Sequence, residues 1–193
     1  MGASGIGGST PWRIPRLGIA RYVVHVSGFE SAAITTERLR LEPLQVEDAD
    51  EMAAVLGDER LHEFTGGDPL SLVDLRERYA RLVAGSSKPD EVWLNWIIRR
   101  SSDSVAIGTV QATLTTRDGR SCAHVAWVIG VDWQGQGFAS EAARALVGWL
   151  RRRGVQEVVA HIHPEHRASA AVATRAGLRP TDDEVDGEQV WRD

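Results

Sequence analysis

Along this chain the apolar residues change their spacing several times, and each change marks an element. In TERLRLEPL, Leu39 and Leu41 alternate with charged neighbours, the period of two that turns one face of a strand inward. Met52, Val55 and Leu56 then recur at helical spacing and predict a short helix over Asp48 to Leu56. FTGGDPLS reads as a loop in which Asp68-Pro69 signals a helix start. The helix after it puts Leu72, Leu75, Tyr79, Leu82 and Val83 on one face and stops at Gly85. VWLNWIIRR and SVAIGTVQATLTT return to strand character around a turn at Ser101 to Asp103. Arg117-Asp118-Gly119-Arg120 turns again into SCAHVAWVI, so three successive strands predict an antiparallel meander.

The pattern changes at Gly130. Phe138, Ala142, Ala145, Leu146, Trp149 and Leu150 recur at helical spacing and predict a helix over Gln136 to Arg153. Arg151, Arg152 and Arg153 lie where its dipole is negative, and Gly154 closes it. VQEVVAHIH is a buried strand, completing a crossover expected to be right-handed and parallel. An Ala-rich helix over Arg167 to Ala176 ends at Gly177, and LRPTDDEVDGEQVW is a hairpin turning at Asp186-Gly187. Upstream, Met1 to about Gly18 is a Gly-, Ser- and Pro-rich tail, and IARYVVHV has strand composition. The expected organisation is an extension over residues 1–33, flexible or supplying an extra edge strand, and one domain over 34–193.

Composition narrows the function classes. A chain of 193 residues forms one domain, and 42% hydrophobic with 25% charged residues is ordinary for a soluble globular protein. The net charge of -5 argues against nucleic acid as the partner and mildly favours an amine-bearing one. Cys122 is the only cysteine, which excludes a disulfide framework and a thiolate zinc cage. No apolar run reaches membrane-spanning length, and the N-terminal segment lacks the apolar core of a signal peptide. A cytoplasmic protein with no membrane partner is expected.

The chemistry concentrates in VDWQGQGFASEAARALVGWL, where Gly135 and Gly137 stand at the mouth of a helix, followed by Ala139 and Ser140. A helix mouth offers unpaired N–H groups and a positive dipole end, and glycines let a ligand approach the backbone, so the stretch suits a phosphate. It lacks the Lys of a P-loop. It also follows an antiparallel meander, whereas a dinucleotide fold needs repeated parallel units.

Gln134-Gly135-Gln136-Gly137-Phe138-Ala139 resembles the pyrophosphate loop of the GNAT N-acetyltransferases. HPEHRASAAVATRAGLRP is similar to that family's next motif, and TERLRLEPLQVEDAD to the opening strand and helix of the branch containing the RimJ and RimL protein acetyltransferases. The similarity runs from about Thr35 to the C-terminus. It implies an α/β fold: a mixed, mostly antiparallel sheet with a splayed parallel central strand pair and flanking helices. The implied activity is acetyl transfer from acetyl-CoA, as co-substrate, to a primary amine of a small molecule or protein N-terminus, directly in a ternary complex. A homodimer is an open option, and no metal is expected.

The resemblance also implies roles for particular residues. Gln134, Gly135, Gln136, Gly137, Phe138, Ala139 and Ser140 would cradle the pyrophosphate, and backbone at Trp127, Val128 and Ile129 would pair with pantetheine. The Val128 N–H would hold the thioester oxyanion. The RimL-like branch often carries Ala-Glu where this chain has Ala123-His124, so His124 is the candidate base, with Glu91 as the backup. The family's usual acid, a Tyr after the last helix motif, is missing, because the only tyrosines are Tyr22 and Tyr79; Ser169 stands in for it. His166 replaces the coenzyme-binding Asn. Phe64, Thr65, Trp93 and Asn95 are expected to contact the acceptor, with Trp96 on the opposite strand face. His161, His163 and His166 lack a carboxylate or thiolate to complete a metal set. The departures from the motif leave a second reading, a catalytically silent acetyl-CoA-binding sensor or regulatory module.

Overall fold

The computed structural model describes residues 29–64, 66–117 and 119–193; IARYVVHV and the preceding tail lie outside them. Eight strands form one sheet in the order β1-β2-β3-β4-β5-β6-β8-β7. They are β1 (Ile34–Thr35), β2 (Leu39–Pro43), β3 (Glu91–Arg100), β4 (Ala106–Arg117), β5 (Arg120–Ile129), β6 (Glu157–Ile162), β7 (Arg179–Val185) and β8 (Glu188–Arg192). Every pairing is antiparallel except β5 with β6, whose parallel register covers only Cys122 to His124 against Glu157 to Val159. Beyond His124 the two strands part company. This is the mixed, splayed sheet that the sequence implies.

Four helices cover the sheet: α1 (Ala49–Val55), α2 (Leu72–Ala84), α3 (Phe138–Arg152) and α4 (Arg167–Ala176). Trp96, Ile98, Leu114 and Ala123 point to one face and join Leu146, Leu150 and Ala173 of α3 and α4 in the main core. Ile97 and Ala106 point to the other face and meet Met52, Leu75 and Tyr79 of α1 and α2. Alternation along β3 thus sends successive residues into two different cores.

Two expectations on α2 need correction. The helix starts at Leu72 and not at Pro69, because Ser71 is the cap that accepts the Asp74 N–H. Leu72 and Val83 are 38% and 50% exposed, so the buried stripe is narrower than the apolar one. Leu75, Tyr79 and Leu82 keep the i, i+4, i+7 face, and Val83 is rotated one position off it. The turns behave as read: Gly85 and Gly177 cap their helices at positive φ, and Asp186-Gly187 has φ of 54° and 83°.

Contacts with the core reach upstream of Ile34. The indole N–H of fully buried Trp96 donates to the Ala32 carbonyl at 2.9 Å, and Phe29 packs against the main core.

Candidate active site

The glycine stretch builds an open helix mouth. Gly135 and Gly137 have φ of 73° and 82°, left-handed values that strain any residue with a side chain. Gly137 is the N-cap of α3, and no side chain caps it. The first intrahelical bond runs from Glu141 N–H to Gly137 C=O, so the N–H groups of the first turn, Phe138 to Ser140, precede it. The side chains around them are already engaged. Gln134 Nε2 donates to the Ile129 carbonyl at 3.0 Å and Gln136 Nε2 to that of Asp132, while Phe138 and Ser140 are buried. What this loop offers an anion is backbone.

A staple from the opposite end of the chain holds the loop. Glu141 accepts from the Thr36 hydroxyl at 2.6 Å, from Arg38 N–H at 3.0 Å and from Arg38 Nε at 2.7 Å. Arg38 Nη1 also donates to the Gln136 carbonyl, and its guanidinium lies 4.6 Å above the Phe138 ring. Burial pushes the Glu141 carboxyl up, but the Thr36 and Arg38 hydrogen bonds and the Arg38 charge outweigh it and hold the group below its ordinary value. The sequence carried a hint of this, a buried-side acid in the first turn of α3, but its partners are about a hundred residues away.

Under α1 and α2 a cleft opens on the sheet face. Its floor includes Asn95, Thr109, Gln111, Ala126, Trp127 and Val128, and its walls are mostly leucine. Tyr79 is 3% exposed and its hydroxyl has no hydrogen-bond partner; neither ring nitrogen of His62 has one. Arg78 also lines the cleft, and burial draws its guanidinium down to about 10, still cationic at neutral pH. Burial pushes the Tyr79 phenol up.

Val128 meets an unusual neighbour: a Cβ added to Gly108 would stand 2.1 Å from the Val128 carbonyl oxygen. Only glycine allows β4 to come so close to β5 at that point.

The sequence-predicted residues divide into three groups. Trp127, Val128 and Asn95 line the cleft, and buried Ile129 ends β5 at the glycine loop. His124 and Ser169 stand apart from the lining. His124 is the last β5 residue paired with β6 and lies two residues from Ala126 on the same strand face. Its ring stacks on His161, with Nδ1 3.3 Å from His161 Nε2, and its Nε2 is 3.8 Å from Cys122 Sγ. Burial lowers the His161 pKa, assisted by the Arg192 charge, and His161 Nδ1 has no partner. Ser169 sits half-buried in the first turn of α4.

The third group lies away from the cleft. Phe64 stacks on His166 at 4.3 Å, and His166 is the N-cap residue of α4; burial lowers its pKa, with Glu63 opposing. Trp93 donates its indole N–H to Glu91 at 2.9 Å. Glu91 also accepts from Ser86 and Lys88; burial raises its pKa, and these bonds with the Lys88 charge more than reverse that. Three donors, Ser86, Lys88 and Trp93, thus converge on this carboxylate. Thr65 lies outside the described residues. Among the described residues no group of three or more His, Cys, Asp or Glu is arranged to hold a metal ion, and no helix is long and apolar enough to cross a membrane.

The model of the acetyltransferase (GNAT) domain family matches residues 38–179, a span that includes the glycine loop, the splayed strands and the cleft floor. The chain belongs to this family. It is a GNAT acetyltransferase of the RimJ/RimL type. Solved structures agree in fold. A GNAT-family acetyltransferase from Bacillus anthracis is 17% identical with a TM-score of 0.68, covering 84% of this chain and 98% of its own. The ribosomal-protein N-acetyltransferase RimL, solved with coenzyme A, is 17% identical with a TM-score of 0.69 over 84% of this chain and 97% of that one. A microcin self-immunity acetyltransferase, solved with acetyl-CoA and AMP, is 14% identical with a TM-score of 0.68 over 82% and 93%. Comparison with curated proteins gives no significant match.

Proposed function

We propose that this GNAT acetyltransferase takes acetyl-CoA and passes the acetyl group directly to a primary amine of a small molecule or protein N-terminus. The observation that carries the reading is the uncapped mouth of α3, standing where β5 ends beside the parting of β5 and β6. Its backbone donors and positive dipole end suit a pyrophosphate. The residues present therefore fit the coenzyme, and the coenzyme supplies the activated acetyl thioester.

Backbone from Gly135 to Ser140 holds the phosphates in this reading, and Trp127 to Ile129 line the pantetheine path. The Val128 N–H steadies the oxyanion. His124 removes the ammonium proton. With the proton on Nδ1, His124 donates to His161 Nε2, 3.3 Å away, and its own Nε2 is the basic atom. Burial keeps His161 neutral, so it remains an acceptor when His124 becomes imidazolium. Ser169 is assigned to protonate the leaving sulfur, and His166 to contact the coenzyme from the N-cap of α4. The cleft beside Val128 supports transfer over a silent sensor, because its apolar walls leave room for an acceptor next to the assigned thioester position.

Gly137→Glu tests the coenzyme site. It sets an anionic side chain at the helix mouth, and calorimetry should find acetyl-CoA affinity reduced at least about a hundredfold, roughly 3 kcal/mol. Undiminished affinity in a folded variant would remove the pyrophosphate assignment, and with it the reading.

A further inference from the structure

Taking a carboxylate partly out of water is costly unless a donor or a cation meets it. Among the described residues, the other Asp and Glu residues that are buried or half-buried have such partners. Glu91 and Glu141 accept several hydrogen bonds each, and Glu42, Asp48, Asp58 and Glu157 pair with arginine. Glu188 is half-buried too, yet among the described residues no hydrogen bond or ion pair meets its carboxylate. Burial pushes its pKa up, with the His163 charge opposing and Asp186 adding. An unmet group of this kind needs an explanation, and a ligand is one.

Register fixes where this carboxylate stands. His124 of β5 pairs with Val159 of β6 just before the two strands part. Counted onward from that pair, Val128 and His163 stand at one level on opposite sides of the gap. β8 runs antiparallel to β6 with Gln189 against Ile162, so Glu188 comes next to His163. Its β7 partner, Val185, packs with Cys122, Val159 and Val190. Glu188 therefore lies on the sheet face shared by His124 and Val128, the face that α1 and α2 cover. The cleft beside Val128 offers no carboxylate of its own: among the described residues that line it, none is Asp or Glu.

We infer that Glu188 receives the ammonium group of the acceptor, across the gap from Val128. The inference rests on the transferase reading and adds a specificity-determining residue to it. A cation arriving there gives the carboxylate its missing partner and holds the amine opposite the Val128 N–H assigned to the oxyanion. Glu188 orients the amine, and removal of its proton stays with His124.

The test begins with thiol release by the full chain, using acetyl-CoA and leucinamide, phenethylamine, spermidine and a short peptide amide as acceptors. For the best of these, Glu188→Gln, nearly isosteric but uncharged, should raise the acceptor KM at least about tenfold, with kcat changed less than about threefold. Acetyl-CoA affinity should not move, and Glu188→Asp, which keeps the charge, should recover part of the loss. Because the carboxylate is unmet in the free protein, Glu188→Gln should also unfold at the same or a higher urea concentration, whereas loss of a structural residue would lower the midpoint. An unchanged acceptor KM overturns the inference, as does a lowered urea midpoint. A loss confined to kcat would make Glu188 a base and overturns it as well. If no amine is turned over, calorimetric titration of leucinamide and phenethylamine into coenzyme-saturated protein decides. Absence of binding, or equal binding by the wild type and Glu188→Gln, overturns it. Acetyl-CoA titration alone reports on the coenzyme site, so failure of the transferase reading is seen separately.

Discussion

Gly108 has no polar group and no unusual torsion, yet the approach of β5 to β4 depends on it. A methyl at that position collides with backbone, the Val128 carbonyl at 2.1 Å, and no side-chain rotation relieves the clash. Gly108→Ala should therefore lower stability by about 1–3 kcal/mol in urea unfolding and reduce kcat, because the strand that yields is the one lining the cleft. An unchanged unfolding midpoint would mean the strands relax without penalty. His124 makes a second demand at this scale. If it is the base, kcat should fall with unit slope below the imidazole pKa, and His124→Glu should retain activity while moving that limb to lower pH. His161→Ala removes the acceptor that steadies the His124 imidazolium, so the acidic limb should also move down. Profiles identical to the wild type in both variants would take the base role away from His124. The role would then pass to Glu91, whose carboxylate is already engaged by Ser86, Lys88 and Trp93, or to a bound water.

At the scale of elements, the loop before α3 is positioned by a connection from the start of the domain. Thr36 and Arg38, flanking the turn between β1 and β2, clasp Glu141 in the first turn of α3, and Arg38 continues to the Gln136 carbonyl. Glu141→Gln keeps the shape and removes the charge, so it should raise the KM for acetyl-CoA several-fold while leaving kcat nearly intact. Because the Glu141 carboxyl is held below its ordinary value in the folded state, its contribution is present at neutral pH and is lost as pH falls through the acidic range. The stability gap between wild type and Glu141→Gln should thus be largest near pH 7 and close toward pH 3. Urea midpoints at the two pH values check this, and a gap independent of pH would deny the ionic character of the staple.

For the whole molecule the open question is where the folded unit begins. Phe29 packs on the core and the Ala32 carbonyl receives the only side-chain hydrogen bond that Trp96 can donate. A chain starting at Phe29 should melt within a degree or two of the full sequence. One starting at Ile34 leaves the buried indole N–H unpaired and should lose about 1–3 kcal/mol, seen as a melting temperature lower by several degrees. Equal melting of the two would place the boundary at Ile34, as the sequence pattern has it.

The sequence by itself determined what local spacing and local chemistry can determine. Period-two runs became strands and period-3.6 runs became helices, because the exposed and buried sides of each element must differ. The glycine loop was legible because its left-handed torsions leave few residue choices, and its order relative to the strand and helix around it fixed the family. Only the tertiary structure decided which side chains meet. Asn95 and Trp93 share a strand face, yet the first lines the cleft and the second serves Glu91. Phe64, expected to contact the acceptor, stacks on His166, about a hundred residues away in the chain. Tyr79 looked like one more apolar-face residue of α2, and it is that, but it also lines the cleft with residues of β3, β4 and β5. Periodicity records which face of an element is buried; it holds no information about which neighbour that face will find, because packing joins residues that the chain keeps far apart.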